Sequence, residues 1–157
     1  MTEIVKIGKV DIVGAYRVAK ILNECGRDMG DKLDLHHWDN PFFKSLLISI
    51  ICSLRNDVYI VYKDHKPIAT FQMQKQGEIL HFEKLATIPS EAGKGVGSLC
   101  LKKTEEIANA WQCKYIRLEV YEKSKHAISL YEKMGYIAIG EFQSLKYNEI
   151  IMQKVCN

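Results

Sequence analysis

The sequence is short of the features that would divide it into parts. Only three prolines occur in 157 residues, at positions 41, 67 and 89. No Pro-, Gly- or Ser-rich stretch and no internal repeat separates one half from the other. Residues 1–157 therefore read as a single domain, within the usual size of roughly 100–200 residues. The five cysteines, Cys25, Cys52, Cys100, Cys113 and Cys156, form no Cys-x-x-Cys pair. An odd number among apolar neighbours reads as reduced, buried thiols of a cytoplasmic protein, not as a disulfide framework or a metal site. Long hydrophobic runs are missing too. The longest, Leu46 to Leu54, contains Ser49 and Ser53 and falls well short of the ~20 residues of a membrane span, so a buried helix is expected there. No basic region followed by an apolar core marks a signal peptide at the N-terminus. Neither sign of charge dominates: 22 Lys plus Arg against 19 Asp plus Glu leave +3. That is too mild for a nucleic-acid partner and too mixed for a disordered tail.

What remains is a regular alternation of elements. A strand is expected over Glu3–Val10. Asp11 can cap a helix whose face carries Ile12, Ala15, Tyr16, Ala19 and Leu22, with Gly26 as its stop. The polar stretch Arg27–Asn40 holds His36, His37 and Trp38. Without further spaced ligands the two histidines make a poor metal site and read as a surface loop. Pro41 suits the first turn of a second helix running to Leu54. Strands follow over Asp57–Tyr62, Pro67–Gln74 and Ile79–Ile88. The second half reads as helix, strand Lys114–Val120, a helix capped by Ser124 and closed by Gly135, and strands Tyr136–Ile139 and Glu149–Val155. The order β-α-α-β-β-β-α-β-α-β-β is α/β with a mid-chain meander, so the sheet must be mixed.

The stretch with most chemical content is Leu85 to Ser98, where a strand enters a loop with Gly93, Gly95 and Gly97 and the loop enters a helix. Glycines let backbone approach a ligand closely, and the first amides of a helix lack internal partners. Together with the helix dipole they suit a pyrophosphate. A plain strand-to-helix turn explains the same residues equally well. Two phosphate motifs fail: Gly97-Ser98 lacks the lysine of a P-loop, and Ser98 stands where a dinucleotide fingerprint needs its third glycine.

A third pattern fits. Thr87-Ile88-Pro89 followed by Ala92-Gly93-Lys94-Gly95-Val96-Gly97 closely resembles motif A of the GNAT superfamily of acyl-CoA-dependent N-acetyltransferases. Ala92 departs from it, standing where the family usually has Gln or Arg. Downstream, Ser124-Lys125-His126-Ala127 leading to Tyr131-Glu132-Lys133-Met134-Gly135-Tyr136 resembles the family's second signature, with Ser124 where Asn is commoner. The similar region runs from about Ile79 to Phe142, and two linked motifs are far more specific than one glycine loop.

The resemblance implies a GNAT-like fold with about six to seven strands flanked by about four helices. It implies acetyl-CoA as cosubstrate, an amine acceptor, and direct attack through a tetrahedral intermediate without a metal. The pyrophosphate would rest on Gly93, Lys94, Gly95, Val96, Gly97 and Ser98, with Ser124 also on the cofactor. The pantetheine arm would lie along Leu85, Ala86 and Thr87, where the family's sheet splays, and a backbone N–H near Leu85 or Ala86 would polarise the thioester. Tyr131 matches the tyrosine that contacts the cofactor and protonates the departing thiolate; a core tyrosine on an amphipathic helix is the competing reading. His81 and Glu83 are candidates for the base; pocket lining by both, or proton removal by a water, is the competing reading. Glu119 reads either as a carboxylate attracting a cationic acceptor or as one member of an alternating strand. The alternative function is a catalytically silent module of this fold that binds CoA or a protein. The resemblance leaves a homodimer open.

Overall fold

A computed structural model describes residues 1–36 and 40–157. Its elements are β1 (Thr2–Lys6), α1 (Ile12–Leu33), α2 (Phe42–Arg55), β2 (Asp57–Lys63), β3 (Lys66–Gln76) and β4 (Ile79–Thr87). A 3-10 turn (Pro89–Glu91), α3 (Val96–Ala110), β5 (Tyr115–Tyr121), α4 (Lys125–Lys133), β6 (Ile137–Gln143) and β7 (Asn148–Val155) follow. The strands form one mixed sheet in the order β1-β2-β3-β4-β5-β7-β6. β1–β2, β5–β7 and β6–β7 are antiparallel and β4–β5 is parallel. The mixed α/β class, the seven strands and the four helices agree with the expectation from sequence.

The chain forms two compact units, Met1–Gln72 with Lys84–Val96, and Met73–Glu83 with Gly97–Asn157. In the first, the Asp11 carboxylate accepts the Gly14 N–H at 2.8 Å and starts α1. The core gathers Val18, Ile21, Leu22 and Cys25 of α1 with Val58 and Ile60 of β2 and Ala86 of β4. Tyr59 and Phe71 stack on adjacent strands, their centroids 5.1 Å apart and their ring planes nearly parallel. In the second unit, β5 alternates strictly. Ile116, Leu118 and Val120 are buried, and Tyr115, Arg117, Glu119 and Tyr121 take the other face.

Several expectations fail here. β1 stops at Lys6 because the chain turns at once, Asp11 N–H bonding the Gly8 carbonyl at 3.2 Å. Gly26 does not end α1. It is buried inside the helix, which runs on until Asp34 adopts a left-handed conformation. The α2 run is not buried by its aliphatic residues. Ser45, Ser49 and Ser53 face inward, and Leu47, Ile51 and Leu54 remain about half exposed. Ile12 and Tyr16 of α1 are also exposed, Tyr16 meeting only the edge of Phe42 among the ring contacts described. All five cysteines are free; Cys25, Cys100 and Cys113 are buried, but Cys52 and Cys156 are only partly so. His37 and Trp38 lie outside the described residues, and His36 pairs with Asp34 at 2.8 Å in an exposed position.

Leu80 on β4 is fully enclosed. Leu80→Ala is expected to lower the unfolding free energy by about 2–5 kcal/mol in urea titration. A loss below 1 kcal/mol would mean that β4 does not form core.

Candidate active site

The site begins where β4 ends. The parallel ladder pairs Ile79, Leu80 and His81 with Tyr115, Ile116 and Arg117. Farther along β4, Lys84 takes a left-handed backbone conformation at φ 52°, rare inside a strand for a residue with a Cβ. Its ammonium donates to the Cys52 thiol on α2 at 3.0 Å. The more buried positions on either side of Lys84 are Leu80, Phe82 and Ala86, alternating with the less buried His81, Glu83 and Leu85. His81 and Leu85 are half-buried and Glu83 is exposed.

Of the strand expected to take the pantetheine arm, Ala86 is buried while Leu85 and Thr87 are partly exposed. One of its acceptors is already engaged: the Cys25 thiol donates to the Thr87 carbonyl at 2.9 Å. Burial first, then the charges of Glu24 and Asp28, pushes that thiol up to about 12, so it remains a donor at neutral pH. Beyond Ile88, whose N–H bonds the Ile68 carbonyl, the 3-10 turn places Glu91 against two lysines. Lys63 lies 3.1 Å and Lys94 3.6 Å from the same carboxylate oxygen. The Lys63 hydrogen bond holds the Glu91 carboxyl below its usual range. Lys94, a candidate phosphate ligand, is therefore held beside the loop by its own i−3 neighbour.

Gly93 and Gly95 both have positive φ, 74° and 85°. A Cβ at either position would meet no heavy atom within 4 Å, so the glycines are required by backbone conformation, and open space lies over them. The loop is exposed, and Val96 opens α3, whose first amides lack intrahelical partners. Exposed backbone amides at a helix N-terminus are of the kind that can take an anion. Ala92 adds no polar side chain to them.

In the second unit, Tyr131 of α4 is buried and meets Tyr136 edge-on at 5.9 Å. Burial, and secondarily Cys100, raises its phenol above the ordinary value, so it is fully protonated at neutral pH. Ser124 occupies the N-cap position of α4, but its side chain makes no capping bond. On the outward face of β5, the Arg117 guanidinium donates two hydrogen bonds to Gln153 Oε1, at 3.1 and 2.7 Å. The Glu119 and Glu149 carboxyls share a hydrogen bond. Partial burial and then that contact raise Glu149 above its usual range. Sequence reasoning missed Glu149, since only the β5–β7 register brings it beside Glu119. It also missed the Glu91 lysine pair and the Lys84 backbone. No cluster of three or more potential metal ligands occurs among the described residues.

Residues 16–136 match the Acetyltransferase (GNAT) family, and the chain belongs to it. It is 34% identical over 107 residues to a thialysine N-epsilon-acetyltransferase of Sus scrofa, covering 62% of this chain and 57% of that one. It is 40% identical over 50 residues to the spermine/spermidine N(1)-acetyltransferase of Bacillus subtilis, covering 31% and 33%. The chain thus spans between a third and somewhat over half of these relatives. The fold is shared with PaiA N-acetyltransferase of Thermoplasma acidophilum, solved with coenzyme A, at TM-score 0.78, 18% identity and 99% coverage of both chains.

Two outcomes test this geometry. Gly95→Ala and Gly95→Glu both strain the turn, but only Glu adds bulk and negative charge. Calorimetric CoA affinity should fall much further for Glu, and equal affinities would remove the loop from the phosphate site. Glu149→Gln should raise the melting temperature at neutral pH. A raised carboxyl favours folding only while protonated, so this advantage should vanish as pH falls below about 4.3. A difference independent of pH would contradict the shared hydrogen bond.

Proposed function

We propose that the protein transfers an acetyl group from acetyl-CoA to a primary amine of a small molecule, peptide or protein, within one catalytic domain over residues 1–157. The observation that carries this reading is the pair of left-handed glycines with open space above them, in a chain of this family. The cosubstrate supplies an acyl group already activated as a thioester. The protein supplies position and proton control. The amides of Gly93 to Ser98 hold the pyrophosphate, and Ser124 assists from α4. The backbone of Leu85 to Thr87 aligns the pantetheine arm, with an N–H of Leu85 or Ala86 turned to the carbonyl oxygen where negative charge develops. Tyr131 is the acid for the departing thiolate; burial raises its phenol above the ordinary value, so it carries its proton at neutral pH. Glu83 or His81 accepts the amine proton, directly or through water.

The relatives' names support a cationic, flexible amine as acceptor, and so does the Glu119–Glu149 pair on the outward face of β5. Free cysteines support a reducing cytoplasmic setting. No described helix is long and apolar enough to cross a membrane. Ala92 favours one second reading, a module that binds CoA without turnover.

Release of free CoA thiol across a panel of amines, with thialysine, spermidine and peptide N-termini among them, separates the two. Turnover on at least one amine is expected. Tyr131→Phe should then lower kcat at least about tenfold with little change in KM. CoA binding without release on any amine would establish the silent module, and wild-type turnover in Tyr131→Phe would remove the acid role.

A further inference from the structure

On the outward side of the sheet in the second unit, β5 and β7 set three rungs in register: Tyr121 opposite Glu149, Glu119 opposite Ile151, and Arg117 opposite Gln153. The third rung holds a fixed guanidinium. Arg117 Nε–H and Nη2–H both donate to Gln153 Oε1, at 3.1 and 2.7 Å. This uses the side edge of the planar group and leaves its end fork, Nη1–H beside the second Nη2–H. Two parallel N–H groups of this kind take a carboxylate bidentately. Among the described residues no carboxylate pairs with Arg117, although Glu119 lies on the same face two residues away. The neutral Gln153 amide orients the guanidinium without neutralising it.

Farther along β5, about 7 Å from Arg117, Glu119 shares a hydrogen bond with Glu149 of the neighbouring rung. Glu119 is exposed, and Arg117, Glu149 and Gln153 are half-buried, so solutes can reach the face. On its other side, His81 of β4 is the register partner of Arg117, with Glu83 two residues beyond. The carboxyl pair alone would suit any ammonium. A guanidinium beside it repels a polycation and favours a molecule that brings its own anion.

We propose that this face binds the α-carbon end of a free diamino acid, Arg117 taking the α-carboxylate and Glu119 with Glu149 the α-ammonium, while the side-chain amine runs toward His81 and Glu83. The inference rests on the acetyl-transfer reading and narrows its acceptor. A polyamine has no carboxylate for the fork, and a lysine within a peptide has neither α-charge, because both groups are amides. Gln153 is a positioning residue, since it acts through Arg117.

Two acceptor pairs that differ only by the carboxylate test this: lysine against 1,5-diaminopentane, and ornithine against 1,4-diaminobutane, each read by release of free CoA thiol. In the wild type, kcat/KM should be higher for at least one amino acid than for its diamine. Arg117→Met should lower that preference at least about tenfold. Arg117→Lys keeps the charge and loses the fork, and should lower it by a smaller factor. Gln153→Leu should lower it as well, chiefly through KM for the amino acid. A merely structural role would shift both members of a pair alike, so a preference unchanged in both Arg117 variants overturns the proposal, as does a wild type that prefers both diamines. Turnover of other amines but of none of these four overturns it while the transfer reading stands. If no amine is turned over, the transfer reading falls, and calorimetric titration of lysine and ornithine into the CoA complex decides the site. Binding that is lost in Arg117→Met upholds it; no binding to the wild type overturns it.

Discussion

The demand on the backbone between β4 and α3 organises the chemistry of this protein. The chain must leave an extended strand and begin a helix while turning a run of amides outward. Two residues, Gly93 and Gly95, meet this demand by adopting positive φ. A side chain there would be strained and would stand in the open space above the loop. The turn before them is held from outside by Glu91, which takes one lysine from β2 and one from within the loop. The loop shape is thus dictated by backbone sterics and held by a local charge network, before any ligand is considered.

The same economy of side chains extends along β4. The strand pairs with β5 at its start, breaks its extended geometry at Lys84, and ends with the Thr87 carbonyl accepting a thiol hydrogen bond. Cys25 and Cys100 are both pushed up to about 12 by burial, so these thiols are packing and donor groups and not nucleophiles at neutral pH. Direct attack by the acceptor amine is consistent with that chemistry. Burial, with Cys100 second, keeps Tyr131 a neutral phenol at neutral pH, and partial burial followed by the Glu119 contact raises Glu149 above its usual range.

Burial in this chain does not follow hydrophobicity residue by residue. α2 buries serines and exposes Phe, Leu and Ile, and β6 is exposed along its length although it contains Ile137, Ile139 and Phe142. β5, by contrast, obeys its alternation strictly. The difference reflects neighbours: β5 lies between two strands, while β6 is a sheet edge and α2 has its apolar arc turned to solvent.

The sequence by itself determined the element order, the mixed α/β class and the positions of the glycine loop and Tyr131. These follow from local signals: period-two strands, capping residues, and glycines at spacings only a tight turn uses. The extent of α1 was not legible, because a buried Gly26 is tolerated inside a helix whose packing supports it. Nor was the inverted face of α2, since periodicity shows that an apolar stripe exists but not which way it turns. The Glu119–Glu149 contact joins residues 30 apart in sequence, and only the β5–β7 register brings them together. Local conformational preference was therefore readable from neighbouring residues, whereas orientation and pairing were decided by which surfaces met in the folded chain.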